Sequence, residues 1–317
     1  MSIVATGTSR LPVPSGAGDD LAVRERRVVV RGVDTRYLEA GSGPVLVMLH
    51  GHEQNAASWR HVMPALAGHR RVIAVSLPGH GESAPPLDGY APNRDLAASV
   101  AEFLDALGID GVDLVGHSVG GAVALHLALA DPDRVRTLTL VASAGLGRAV
   151  NPLIALDTLP GLGEWAIMLS RLPGGHLQRT MMSAAMLFAQ PWRVPADFFT
   201  EAHALGRRPG QLEASTALAR ALFSAFGQRD VLLDELDTLT MPTLVMWGTW
   251  DLVLPAHHAR VAVNRLPRGR LALFRACGHL PHVEQPGRFV AELEALLAAR
   301  PAGRRGRAGR EPSAAGP

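Results

Sequence analysis

The chain is short of the residues from which several kinds of site are built. One cysteine, Cys277, occurs in 317 residues. That excludes an intramolecular disulfide framework and any zinc site resting on clustered cysteines. Lysine is absent, all 31 basic residues being arginine, a usage that reads as codon bias rather than mechanism. Only two tyrosines occur, Tyr37 and Tyr90. No apolar run approaches the roughly 20 residues that span a membrane. The most apolar helical stretch is Gly120 to Ala130. The first residues, Met1 to Asp20, lack a charged segment followed by an apolar run, so they do not read as a signal peptide. A cytoplasmic protein is the expectation.

Basic charge is also scarce outside one end. The pI of about 9.3 is basic, but Arg300, Arg304, Arg305, Arg307 and Arg310 crowd the last 18 residues with only Glu311 against them. Without that tail, 26 basic residues face 28 acidic ones. A basic domain surface for nucleic acid is therefore not supported. What is present is apolar: 47% of the chain is hydrophobic, which excludes wholesale disorder and suffices for a sizeable core.

Residues 1–21 and 301–317 are rich in Ser, Gly, Pro or Arg and read as a flexible arm and a disordered tail. Between them short apolar strands alternate with helical patterns. Arg27–Val33 and Thr35–Ala40 read as a hairpin; Val45–Leu49, Arg71–Leu77, Val112–Val115, Val135–Val141, Thr243–Trp247 and Arg270–Phe274 read as strands. Ser58–Ala67, Asn93–Leu107, Val119–Ala130, Ala256–Leu266 and Phe289–Ala299 read as helices. This alternation predicts an α/β fold with a mostly parallel sheet covered on both faces. The rhythm breaks over 146–236, where helical segments separated by Pro and Gly replace strands. That stretch is expected to be a helical cap, leaving 22–145 and 237–300 as the core.

One segment concentrates chemistry: Gly116-His117-Ser118-Val119-Gly120-Gly121, between a predicted strand and helix. A serine on so sharp a turn has its hydroxyl lifted above the sheet, at a helix N-terminus that favours developing negative charge. A serine hydroxyl needs a base, and the base an orienting acid. Asp251 closes the strand Thr243–Trp247 after Gly248-Thr249-Trp250. His279, in Cys277-Gly278-His279, follows the next strand. Both should meet at the strands' carboxyl ends, where open α/β sheets bind ligands. Asp230, Asp234 and Asp237 are rival acids and His282 is the rival base. After Leu49 comes His50-Gly51-His52, and the backbone N–H groups of His52 and Val119 are the candidate oxyanion hole. The pairs His50/His52, His257/His258 and His279/His282 lack a third ligand at helical spacing, so no metal is expected.

In this order, Ser118, Asp251 and His279 resemble the α/β-hydrolase superfamily over about residues 25–300. Pro78-Gly79-His80-Gly81-Glu82-Ser83 and Gly278-His279…Glu284-Gln285-Pro286 resemble further motifs of that family. The resemblance implies Ser118 as nucleophile, His279 as base, Asp251 as acid, a cap over about 146–236, and no cofactor. Epoxide hydrolases and haloalkane dehalogenases of that fold use an aspartate nucleophile where this chain has Ser118. Epoxide hydrolases also need cap tyrosines, and none falls in 146–236. Hydrolases of C–C bonds usually carry Gly-Asn-Ser-Met-Gly and a Trp after the base. Here the elbow has His117 and Val119, and Leu280 follows His279.

Within the cap, Trp165, Met182, Met186 and Phe188 are candidate substrate contacts, while most of its apolar residues should hold its helices together. Arg148, Arg171, Arg179 and Arg193 could meet a substrate carboxylate but are expected at the solvated surface. Taken together, the residues point to a serine hydrolase cleaving a small to medium apolar ester through an acyl-enzyme. C–C hydrolysis or acyl transfer by the same triad, and a ligand-binding pseudoenzyme, are the alternatives.

Overall fold

Each short apolar run becomes a strand because its branched side chains fit a pleated, buried surface. The computed structural model of the chain describes residues 22–84 and 93–299; the arm and tail expected at the ends lie outside the described residues. Strands β1 (Arg24–Val30) and β2 (Val33–Ala40) form the expected hairpin. Its turn puts Arg31 at φ 52° and Gly32 at φ 76°, the left-handed pair that matches strand twist.

Strand β3 (Val45–Leu49) follows as read. The helix expected over Ser58–Ala67 does not form as one piece. Instead a 3-10 turn, Ala56–Trp59, is capped by the Asn55 side chain, which accepts the Ala57 N–H at 2.9 Å. The chain then restarts as α1 (Met63–Ala67), with Pro64 in its first turn. Proline has no N–H to donate within a helix, so it sits where a helix begins.

The core continues through β4 (Arg71–Val75), α2 (Asn93–Ala106), β5 (Val112–His117), α3 (Val119–Ala130) and β6 (Val135–Val141). Five helices then interrupt it: α4 (Pro152–Asp157), α5 (Leu162–Ser170), α6 (Gly175–Leu187), α7 (Ala196–Gly206) and α8 (Gln211–Leu222). A hairpin of two-residue strands, β7 (Phe223–Ser224) and β8 (Gly227–Gln228), ends this insertion and was not anticipated. The core closes with β9 (Thr243–Gly248), α9 (His257–Arg265), β10 (Gly269–Phe274), α10 (Pro281–Glu284) and α11 (Pro286–Ala298).

The main sheet has eight strands in the order β1-β2-β4-β3-β5-β6-β9-β10, parallel from β4 onward. β4 lies on one side of β3 and β5 on the other, so the winding direction reverses at β3. Such a switch point opens a crevice at the carboxyl ends of the strands. Alternation along the strands builds two cores. Val47, Leu49 and Leu114 face α2 and α3; Leu46, Met48 and Val115 face Trp59, Met63 and Phe289. Truncating one of these, such as Leu114→Ala, should cost about 2–5 kcal/mol.

The insertion is anchored unevenly. Leu218, Ala219 and Leu222 of α8 join the main core. Towards residues 55–61 and 81 the contacts are polar: Arg60 reaches Glu201 at 3.0 Å, Asn55 reaches the same carboxylate at 2.7 Å, and Arg208 donates to the Gly81 carbonyl at 2.5 Å. On α4 to α6, Leu153, Leu162, Trp165, Met168, Met181 and Met182 are exposed.

Candidate active site

The turn between β5 and α3 holds Ser118 at φ 51°, ψ −116°. A left-handed backbone is costly for a residue with a Cβ, about 1–3 kcal/mol, and persists only where its surroundings over-determine it. Here they do. The Ser118 N–H donates to Val141 O at 2.9 Å, and Ser118 O accepts from Gly121 and Ala144, both at 2.9 Å. A Cβ at Gly120 would stand 2.5 Å from the carbonyls of Leu49 and His50, so the helix can approach β3 only through glycine.

The loops after β9 and β10 bring Asp251 and His279 to the same edge. Asp251 is fixed by two N–H groups, Val253 at 2.8 Å and Leu254 at 3.0 Å, both donating to Oδ1. Its Oδ2 lies 2.8 Å from Nδ1 of His279, with both side chains buried. A carboxylate only accepts, so His279 carries its proton on Nδ1 and presents a bare Nε2. The His279 carbonyl accepts from His117 Nε2 at 3.0 Å, and its N–H donates to Leu187 O at 2.7 Å. Ser118 Oγ makes no hydrogen bond among the described residues. Nucleophile–base contacts are commonly long before substrate binds.

The rivals sit elsewhere. Asp230 pairs with His126 at 2.5 Å, Asp234 pairs with Arg265 at 3.0 Å, and Asp237 is exposed. His282 is 0% exposed, stacked on Trp59 with ring centroids 4.3 Å apart. Burial, with His61 and His279 nearby, drives its pKa down to about 3. Cys277 is buried, and burial together with Glu284 pushes its thiol well up, out of range for a nucleophile.

The loop after β3 runs beside the elbow because Leu49 pairs with Gly116 in the parallel register. A Cβ on Gly51 would come within 3.1 Å of the Ser118 Cβ. His50 braces this loop: its Nε2 accepts the Leu77 N–H at 3.0 Å, and Nδ1–H donates to Gly51 O at 2.8 Å. The N–H groups of His52 and Val119 have no acceptor among the described residues. Val119 opens α3, so its N–H is free for a ligand.

The four insertion residues separate into two pairs. Phe188 is 3% exposed and packs against Leu280 and Val283, beside the base, while Met186 packs on the main core. Trp165 and Met182 are each 61% exposed. Met182 belongs to an open stripe of α6 with Leu177, Gln178, Met181 and Ala185. Of the four candidate contacts, only Met186 and Phe188 are turned inward. Arg171 is a surface ion pair with Glu213, as expected, but Arg179 is drawn inward to Glu53.

Two groups escaped the sequence reading. Glu284 accepts the Gly278 N–H at 2.7 Å and the Ala189 N–H at 3.0 Å, tying the base loop to the end of α6. Its place in the Glu284-Gln285-Pro286 motif was the available signal. Glu53 meets Ser215 and Arg179 from distant segments, and no spacing foretells that. Among the described residues no group of three His, Cys, Asp or Glu side chains is placed to hold a metal ion. No helix there is long and apolar enough to cross a membrane.

Comparison with known proteins shows the family. The alpha/beta hydrolase fold family matches residues 44–286. A 2-hydroxymuconate semialdehyde hydrolase from Pseudomonas sp. (strain CF600) is 33% identical, over 86% of this chain and 93% of that protein. A pimeloyl-[acyl-carrier protein] methyl ester esterase from Aeromonas hydrophila is 30% identical, over 80% of this chain and 95% of its own length. A crystallised serine hydrolase involved in carbazole degradation superposes with a TM-score of 0.73 at 26% identity, covering 88% of this chain and 100% of that one.

Proposed function

We propose, on the premise that this chain belongs to the alpha/beta hydrolase family, that it is a serine hydrolase cleaving a small to medium apolar carboxylic ester. The observation that carries this is the buried Asp251–His279 hydrogen bond of 2.8 Å at the sheet edge where Ser118 stands in its left-handed turn. His279 Nε2 takes the Ser118 proton as Oγ attacks the carbonyl carbon. The oxyanion is stabilised by the N–H groups of His52 and Val119, aided by the N-terminus of α3. Collapse expels the alcohol, which takes the proton from His279 and leaves an acyl-enzyme. Water, deprotonated by His279, then releases the acid. The helices 146–236 act as the cap, with Met186 and Phe188 towards the acyl group. No step requires a cofactor.

A fluorophosphonate probe tests the reading. It should label Ser118, and Ser118→Ala should lower kcat by about 10³–10⁶-fold with the fold intact. Labelling of another serine, or an active alanine variant, overturns it. C–C bond hydrolysis is the second reading, favoured by the likeness to the 2-hydroxymuconate semialdehyde hydrolase. Product analysis with an ester and with a ring-fission diketone separates the two.

A further inference from the structure

The oxyanion loop is gripped from above. Gly51 to Gln54 form a tight turn closed by Gln54 N–H to Gly51 O at 3.3 Å, and its third residue, Glu53, has φ 56°. A glutamate in the left-handed region needs help to stay there. Both central side chains of the turn find that help in the cap. Arg179 of α6 forms an ion pair with the Glu53 carboxylate. Ser215 of α8 donates to Glu53 Oε1 at 3.0 Å and lies 3.0 Å from His52 Nε2.

A hydroxyl has one proton to give. The Glu53 carboxylate can only accept it, so His52 must donate Nε2–H to Ser215, which fixes the His52 tautomer. Burial holds His52 below the usual histidine range and therefore neutral. Burial alone would raise the Glu53 carboxyl, but the Arg179 guanidinium and the Ser215 hydrogen bond outweigh it and keep it ionised. The same α6 ends on the base loop, where Leu187 O accepts the His279 N–H at 2.7 Å. One cap helix thus touches both the oxyanion turn and the base loop.

We propose that Arg179 and Ser215 are positioning residues: they hold Glu53 in its left-handed conformation and so aim the His52 N–H, making cap seating and completion of the oxyanion hole one event. This rests on the reading of His52 N–H as an oxyanion donor. Removing one such donor outright costs about 10²–10³-fold in kcat, so loosening it should cost about 10–100-fold.

The test uses the full chain and two readouts: the rate at which a fluorophosphonate labels Ser118, and amide exchange of the peptide spanning residues 50–56. Arg179→Met and Ser215→Ala should speed exchange of that peptide and slow labelling about 10–100-fold. Arg179→Lys should recover part of both. Glu53→Gly and Glu53→Ala separate backbone from charge, since both lack the carboxylate and only glycine accepts φ 56° freely. Labelling in Glu53→Gly should exceed that in Glu53→Ala by about tenfold. Unchanged exchange and labelling in Arg179→Met, or equal labelling in Glu53→Gly and Glu53→Ala, overturns the proposal. A wild-type protein that resists the probe overturns the hydrolase reading instead, and exchange of the turn then decides by itself whether the cap holds it. A variant that fails to fold is set aside for Arg179→Lys and Glu53→Gly, which keep the charge or the backbone.

Discussion

At the carboxyl edge of the sheet, the loops carrying Ser118, Asp251 and His279 are held by backbone hydrogen bonds. The cap meets that edge largely through side chains, and turns much of its apolar surface to solvent. Ser118, Thr249 and Trp250 each donate an N–H to a neighbouring strand or loop carbonyl at 2.9 Å. Those bonds are made by the backbone and depend on no side chain. The cap's ties, by contrast, are pairs such as Arg60–Glu201 and Arg179–Glu53, both part-buried. Ion pairs that solvent still reaches weaken with salt. The difference separates an edge held by backbone bonds from an insertion held by side chains, with α6 touching both the 51–54 turn and the His279 loop.

The sharpest way to break that contrast is at the fixed edge. Asp251→Asn should preserve the packing but no longer hold His279 with its proton on Nδ1, lowering kcat by about 10⁴-fold. Combining His279→Ala with Ser118→Ala should cost little more than either substitution, because the residues act as a unit. His282→Phe should keep most activity, since His282 is sealed beneath Trp59. Equal damage from His282→Phe and His279→Ala would mean that the edge is not organised as described.

This edge was legible in the sequence for a physical reason. Strand, turn and helix signals are local, and Ser118, Asp251 and His279 all fall just past strand ends, so the parallel sheet brings them together. The broken helix at 56–67 was less legible because Asn55 captures the chain first and Pro64 restarts it. The cap was legible only as helices. Apolar content says that a helix has a buried face but not what lies against it. Trp165 and Phe188 therefore looked alike, although one is 61% and the other 3% exposed. Glu53 and Arg179 lie 126 positions apart, and only the assembled fold joins them.

Acid should reach the fixed edge before the cap's outer face. His50 and His282 have pKa values lowered to about 3, and His80 to about 4, chiefly by burial. The unfolded chain binds their protons below pH 6.5 while the folded chain does not. Each therefore removes about 1.4 kcal/mol of stability per pH unit between about 6.5 and its folded value. Stability is fully retained above pH 6.5 and falls as pH drops. Denaturant titrations at pH 7 and pH 5 should show a loss of several kcal/mol, and His282→Phe should reduce it by about 2 kcal/mol. An acid-stable protein with all three of His50, His80 and His282 present would mean that these rings find partners on protonation.

Smaller effects should come from the inner lining of the cap. Phe188 packs on Leu280 and Val283, directly after the base. Each extra substrate methylene buried there is worth up to about 0.8 kcal/mol, nearly fourfold in kcat/KM when realised in the transition state. Across p-nitrophenyl esters, kcat/KM should rise from acetate to medium chains and then fall. Met186→Ala should move that optimum to longer chains while acetate turnover stays within about twofold. A flat profile in both proteins would place the acyl group elsewhere.

The smallest effect belongs to the outer face. Trp165 and Met182 are each 61% exposed, and Met182 lies in a stripe of α6 with Leu177, Met181 and Ala185. On a 3.6-residue helix Leu177, Met181 and Ala185 are turned away from Arg179 and Ser183, while Met182 lies at the edge of the stripe nearer Arg179. Surface substitutions away from specific partners usually change stability by less than about 0.5 kcal/mol. Trp165→Gln and Met182→Gln should therefore leave kcat/KM for every ester within about twofold and Tm within a few degrees. The chain-length optimum should not move, in contrast to Met186→Ala. A shift of that optimum by Met182→Gln would show that the cap closes far enough over substrate to bring its outer stripe inside. α6 would then face substrate along both its inner and its outer side.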